Sequence, residues 1–288
     1  MTSGDYGRIV TGDDASSRPS AKHPSRHPTE QGTVSGHIAG SWLETFRALT
    51  GSRPHKPSFV IFDIGQSGCI TLAKWFTSHK AISFQENILR QTVRFPRLSV
   101  YQRIRQSASD VYGFSLTVEQ LRQVQRLADP NQFLQDLHRG GCRVIYLSRR
   151  DVLRHAIATL RTHSVSCRFD DKEPSRSNKL TVDVSELLAC LKYLDNQRIE
   201  ADAIMHDIPH LDLVYEEDLM DPNTYPETAQ KLSDFLAIPD IKPTGSGLKL
   251  VHQKLTNIVE NYKEVLEGVE NSDYAYLLTD SRHLLTTM

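Results

Sequence analysis

Three short stretches of the 288-residue sequence hold side chains and backbone patterns suited to gripping an anion. GQSG, residues 65–68, follows the apolar run SFVIFDI (58–64) and precedes a helical pattern. Gly65-X-X-Gly68 at such a turn directs backbone N–H groups toward a phosphate or sulfate, although glycines there also serve a plain tight bend. Arg149 and Arg150 stand where a second apolar run, CRVIYLS (142–148), ends. Two guanidiniums at that edge could clamp an anion bidentately, or could form a surface pair bridging Asp151 and nearby acids. Lys249 lies in a glycine-flanked loop ahead of another helical segment. The glycine loop is not a nucleoside-triphosphatase loop of the Walker type: it is too short, and Cys69-Ile70 stand where Lys-Ser or Lys-Thr would be needed.

The elements that must carry these residues are legible as short, β-branched runs alternating with helical stretches. SFVIFDI, CRVIYLS and HLDLVY (210–215) read as strands buried on both faces, and SELLACLKYLDNQRIEADAIMHD (185–207) repeats apolar residues every three or four positions. This alternation predicts a three-layer α/β domain around a central parallel sheet, with active groups at the carboxyl ends of the strands.

Bulk properties narrow the function. The net charge is −1, so the chain has no global attraction to nucleic acid or to anionic membrane, and any anion site must be local. No apolar run is long enough to span a membrane. Cys69, Cys142, Cys167 and Cys190 are widely spaced, contain no C-x-x-C pair and follow no secretory signal, which reads as reduced thiols in a cytoplasmic protein. Nineteen of the first 40 residues are Gly, Ser, Thr or Pro, so residues 1–40 are expected to be a disordered tail. His23, His27, His37 and His55 have no metal-ligand spacing, and no metal is expected. Residues 41–55 supply a short amphipathic helix and linker, and 56–288 the main domain.

Taken together and in order, these segments resemble the P-loop sulfotransferases that use 3′-phosphoadenosine-5′-phosphosulfate (PAPS), particularly the bacterial nodulation-factor and glycolipid group. The family's loop, approximately Gly-X-Pro-Arg-Ser-Gly-Ser/Thr-Ser/Thr-X-Leu, corresponds to the run from Asp63 to Leu72. Its SHP and following glutamate correspond to Ser78-His79-Lys80 and Glu86, and its Arg-Arg-Asp turn to Arg149-Arg150-Asp151. Its YEDL segment is approximated by Tyr215 to Leu219, and its late lysine before an ENY helix by Lys249 and Glu260-Asn261-Tyr262.

The resemblance implies a sulfotransferase-like three-layer fold and transfer of a sulfuryl group from PAPS, as co-substrate, to a hydroxyl or amine of a small metabolite or glycan. It implies cofactor contacts from Gly65, Gln66, Ser67, Gly68, Cys69, Ile70, Arg149, Arg150, Thr159 and Lys249, with Glu86 as base and Gln66 and His79 in the catalytic set. The departures fall on the chemistry: Gln66, Cys69 and Ile70 replace the family's loop cation and paired hydroxyls, and Ala158, beside Thr159, replaces a serine that helps hold the 3′-phosphate. Backbone N–H groups at 67–70, the Ser67 hydroxyl and the Gln66 amide remain as donors. Two rival readings follow, an inactive binding protein of sulfotransferase fold and a different transfer in the same pocket. Arg90, Arg94, Arg97, Arg103 and Arg105 form an acid-free run that is either an active-site lid or a solvated basic face, and Glu86 could simply pair with Arg90. No motif in 84–135 or 163–182 names the acceptor.

Deleting residues 1–38 should leave the melting temperature within about a degree of the full chain, since this segment has little apolar surface to bury. Deletion through Gly51 should lower it by several degrees in the same calorimetric scan, because Trp42, Leu43, Phe46 and Leu49 go with it.

Overall fold

β1 (Ser58–Asp63) is the centre of the molecule, and all six of its residues are buried. Alternate side chains go to opposite faces of the sheet, so a strand covered on both sides must be largely apolar, as this one is from Phe59 to Phe62 between its terminal Ser58 and Asp63. The computed structural model describes residues 56–167, 179–244 and 254–278. The expected tail, the helix at 41–55 and Lys249 lie outside the described residues. Those that are described fall within one compact unit, Arg47–Met288.

Four further strands complete an all-parallel sheet: β2 (Ile82–Gln85), β3 (Val111–Thr117), β4 (Cys142–Ser148) and β5 (His210–Val214), in the order β2-β3-β1-β4-β5. The three strands expected from the sequence are β1, β4 and β5. β2 and β3 were not expected, and the reason is visible in their residues: β2 is only ISFQ, and β3 is interrupted by Gly113 and Ser115.

The helices are α1 (Cys69–Ser78), α2 (Pro96–Gln106), α3 (Pro130–Arg139), α4 (Val152–Cys167), α5 (Val184–Met205), α6 (Tyr225–Leu236), the single turn α7 (Leu255–Ile258) and α8 (Tyr262–Glu270). α3 and α5 begin at aspartates, Asp129 and Asp183, whose carboxylates accept the N–H of the third helical residue. On one face of the sheet, Phe59, Ile61, Ile145, Leu147 and Leu213 meet α1 and α6. On the other, Val60, Phe62, Phe114, Val144 and Tyr146 meet α2, α3 and the carboxyl half of α5. A third cluster joins α4, the amino half of α5, α7 and α8. Among the described residues no helix is long and apolar enough to cross a membrane.

This topology creates the site. The chain leaves β1 through α1 on one face, whereas the connection from β3 to β4 passes through α3 on the other. Loops on neighbouring strands therefore part at the carboxyl edge, and a crevice opens between them.

Gly113 on β3 faces Phe59 on β1 in register, and a Cβ there would lie 2.3 Å from the Phe59 ring. The space it leaves lets Phe59 pack against Phe76 at 4.6 Å and Phe84 at 6.0 Å between ring centres. Gly113→Ala should therefore cost about 1–3 kcal/mol by overpacking, measured by urea unfolding.

Candidate functional site

The loop after β1 is shaped by three positive-φ positions. Gly65 has φ +88°, Gln66 φ +53° and Gly68 φ +101°, left-handed conformations that carry the chain sharply from the strand into α1. The Gly65 N–H donates to Asp63 Oδ1 at 2.9 Å. The Gly65 carbonyl accepts from His155 Nε2 at 2.7 Å and from Ser67 Oγ at 3.2 Å. Because a carbonyl only accepts, the His155 proton resides on Nε2. Burial, and secondly the Arg149 charge, push the His155 pKa down to about 4, so the ring is a neutral donor.

Gly68 is required for a second reason. A Cβ there would lie 2.3 Å from the Tyr215 ring, which packs directly against the start of α1. That ring also carries the Arg149 guanidinium, 4.7 Å from its centre. Arg149 also donates from Nη1 to the Gln66 carbonyl at 3.3 Å, and its Nε lies 3.4 Å from Glu216 Oε1. The side chain is 9% exposed, yet Nε makes no hydrogen bond. Glu216 is held in turn by the N–H groups of Arg150 and Asp151.

Above this loop lies a cavity of about 760 Å³. Its floor is Asp63, the glycine loop, Ser115 and Thr117. One wall is the stripe Arg154, Ile157, Ala158, Arg161 and Thr162 of α4, residues whose helical spacing places them on one face. The opposite wall carries Glu86, Asn87, Arg90, Glu119 and Gln120, and α7 adds Leu255 and Ile258. The segment after β2 that forms this wall is fixed by two glutamines. Gln120 Nε2 donates to Asn87 Oδ1 at 3.1 Å. Gln125 donates to the Leu89 and Gln91 carbonyls and accepts from the Val93 N–H.

Of the residues expected to form the site, Gly65, Gln66, Gly68, Cys69, Ile70, Glu86 and Arg149 line the cavity. Ser67 is buried beneath the loop with its hydroxyl turned to the Gly65 carbonyl, so it is not a free donor. Arg150 turns outward to an exposed ion pair with Glu217, which leaves one arginine where two were expected. Thr159 donates to the His155 carbonyl at 3.0 Å inside α4 and does not line the cavity. His79 is at the far end of α1, ten residues and about 15 Å from the loop, with Nε2 donating to Pro239 and Nδ1 accepting from Ala81. It closes the helix and has no part in the site.

The arginine run divides in the same way. Arg97 pairs with Asp136, Arg103 donates to Gln85, and Arg94 lies over the Phe95 ring. Only Arg90 of the run lines the cavity, and it forms no ion pair with Glu86. The basic residues missed by sequence reasoning are Arg154 and Arg161, whose seven-residue spacing around Ile157 and Ala158 was the available signal. Also missed was Asp63, a carboxyl closing the buried run Phe59 to Phe62.

Asp63 is 2% exposed and forms no ion pair among the described residues. Burial foremost, with a further push from Glu86 and against the Gly65 hydrogen bond, raises its pKa to about 7. Burial and the same two carboxyl groups push the Cys69 thiol up, which makes it a poor nucleophile. No family model matches the chain, and no curated protein matches it.

The two buried titratable groups affect stability in opposite directions. Asp63 holds its proton more tightly folded, so its contribution falls as pH rises from 3.8 to about 7. His155 holds its proton less tightly folded, so its contribution is lost as pH falls from 6.5 to about 4. Asp63→Asn keeps an acceptor for the Gly65 N–H and removes the first effect. Relative to wild type, its unfolding free energy should rise by roughly 2 kcal/mol between about pH 4.5 and 6.5 in urea titrations. A constant difference across that range would show that Asp63 ionises normally.

Proposed function

We propose that the chain is a PAPS-dependent sulfotransferase, acting in the cytoplasm on a hydroxyl or amine of a small metabolite or glycan. The observation that carries this reading is the meeting, in one cavity at the carboxyl edge of the sheet, of a helix-opening glycine loop and a largely buried arginine, Arg149, that lines the cavity beside it. The volume of about 760 Å³ lies in the range of sites that enclose a nucleotide-sized ligand. α1 begins at Gly68 without a side-chain cap, so its first N–H groups remain available to an anion.

In this reading the loop and Arg149 hold the phosphates, and Arg154 and Arg161 extend the positive wall. The acceptor oxygen or nitrogen attacks sulfur as the bond from sulfur to the 5′-phosphate oxygen breaks, and 3′-phosphoadenosine-5′-phosphate departs. Glu86 accepts the acceptor's proton. It stands exposed on the cavity wall without an ion-pair partner among the described residues, and is therefore free to do so. Catalysis then consists of positioning and charge stabilisation, as in phosphoryl transfer. A second reading, a binding protein that performs no transfer, is favoured by the absence of charge or hydroxyl at Gln66, Cys69 and Ile70.

Calorimetry with 3′-phosphoadenosine-5′-phosphate tests the site. Arg149→Ala should weaken binding about tenfold to a hundredfold, whereas Arg150→Ala, facing Glu217, should change it less than about threefold. Equal affinities for wild type and Arg149→Ala would overturn the assignment. Tight nucleotide binding without turnover on any hydroxyl or amine acceptor would select the second reading.

A further inference from the structure

The floor of the cavity holds an acid where an anion is expected. Asp63 ends β1 beneath the loop, lines the cavity and is almost wholly buried. One of its oxygens, Oδ1, is taken by the Gly65 N–H, and no cation lies within ion-pairing distance among the described residues. A buried carboxylate with one neutral hydrogen bond, beside a second carboxyl group at Glu86, is poorly stabilised as an anion. The same floor contains the loop positions that lack a cation or a hydroxyl, Gln66, Cys69 and Ile70.

We infer that Asp63 is held as the neutral acid and donates a hydrogen bond from Oδ2 to the anion bound at this loop, in place of the absent loop side chains. This deepens the proposed function and rests on its anion-binding part. The consequence is coupling: an anion arriving over Asp63 strengthens its hold on the proton, as Glu86 already does, so binding and proton uptake go together. A buried carboxylic acid retained as a donor is sound chemistry for a site that must meet negative charge without a lysine.

The other titratable and charged groups near it are Cys69 on α1, Glu86 and Arg90 after β2, Glu119 beyond β3, and Arg149, Arg154 and His155 from β4 and α4. The thiol is pushed up and the imidazole is pushed down to about 4. The nucleotide's own phosphates titrate near neutrality, so the discriminating ligand is inorganic sulfate, whose charge is constant there.

Sulfate affinity of the wild type should fall about twentyfold between about pH 6.5 and 8.5, approaching tenfold per unit above neutrality. At about pH 8, calorimetry in two buffers of different ionisation heat should find close to one proton taken up per sulfate. Asp63→Asn, which carries a permanent donor, should bind with less than about a threefold change over the same range and take up no proton. Glu86→Gln, which removes the neighbouring charge, should move the fall to lower pH and provides an independent test if Asp63→Asn folds poorly. A flat wild-type profile without proton uptake would overturn the inference, as would an Asp63→Asn profile as steep as wild type or an unshifted Glu86→Gln profile. Nucleotide binding combined with a flat sulfate profile would remove the neutral acid alone. Failure of both nucleotide and sulfate to bind at any pH would remove the site.

Discussion

The peptide unit at Gly65 is gripped from both sides, and the candidate site depends on that grip. A carboxyl group from the end of β1 holds its N–H, and an imidazole from α4 holds its carbonyl. Neither partner is a charged residue on the surface: both are buried, and the surroundings disfavour charge on each. The left-handed turn through Gly65 and Gln66 is thus fixed by short, desolvated hydrogen bonds, and α1 starts from a defined point. Removing either group would leave a buried backbone dipole unmatched and would free the loop to choose another path.

Positive charge reaches the cavity by a different route. The loop supplies none, and the cations come from the edge of β4, from one face of α4 and, on the wall after β2, from Arg90. Arg149 is placed by stacking on Tyr215, which itself occupies the space that Gly68 leaves open. Three residues distant in sequence are therefore a single packed unit, and the glycine is as necessary for the ring as for the turn. Glu216 offsets part of the Arg149 charge while locking its direction, a compromise between net attraction and preorganisation.

Much of the fold was legible because β1 and most of β4 are covered on both faces and carry apolar runs. β5, expected to be buried on both faces, is an edge strand that is mostly half-buried with Asp212 exposed, and was legible from its alternating Leu211 and Leu213. β2 and β3 escaped detection because Gly113 and Ser115 break the pattern for reasons that exist only in three dimensions: one makes room for Phe59, the other accepts the Asn87 N–H. The loop and Arg149 were readable from their position at strand ends. Arg150 and His79 were misleading because sequence gives adjacency and not direction: consecutive residues after a strand point apart, and a helix carries its last residue far from its first. Asp63 could not be singled out by residue type, since its unusual chemistry comes from burial and from Glu86, a neighbour 23 positions away in sequence.

The wall facing α4 is held through its main chain. Gln125 takes the carbonyls of Leu89 and Gln91 and the N–H of Val93, while the side chains of Arg90, Gln91 and Thr92 are exposed. Path and side-chain identity are therefore decoupled at Arg90, whereas the Thr92 hydroxyl adds a tie of its own to the Val124 carbonyl. Substitution of Arg90, which lines the cavity, can alter charge and shape there without disturbing the backbone bonds that set the segment's course. Such a wall leaves the chemistry of the cavity rim adjustable while the Gly65 grip stays untouched, so shape and charge can vary on a constant frame.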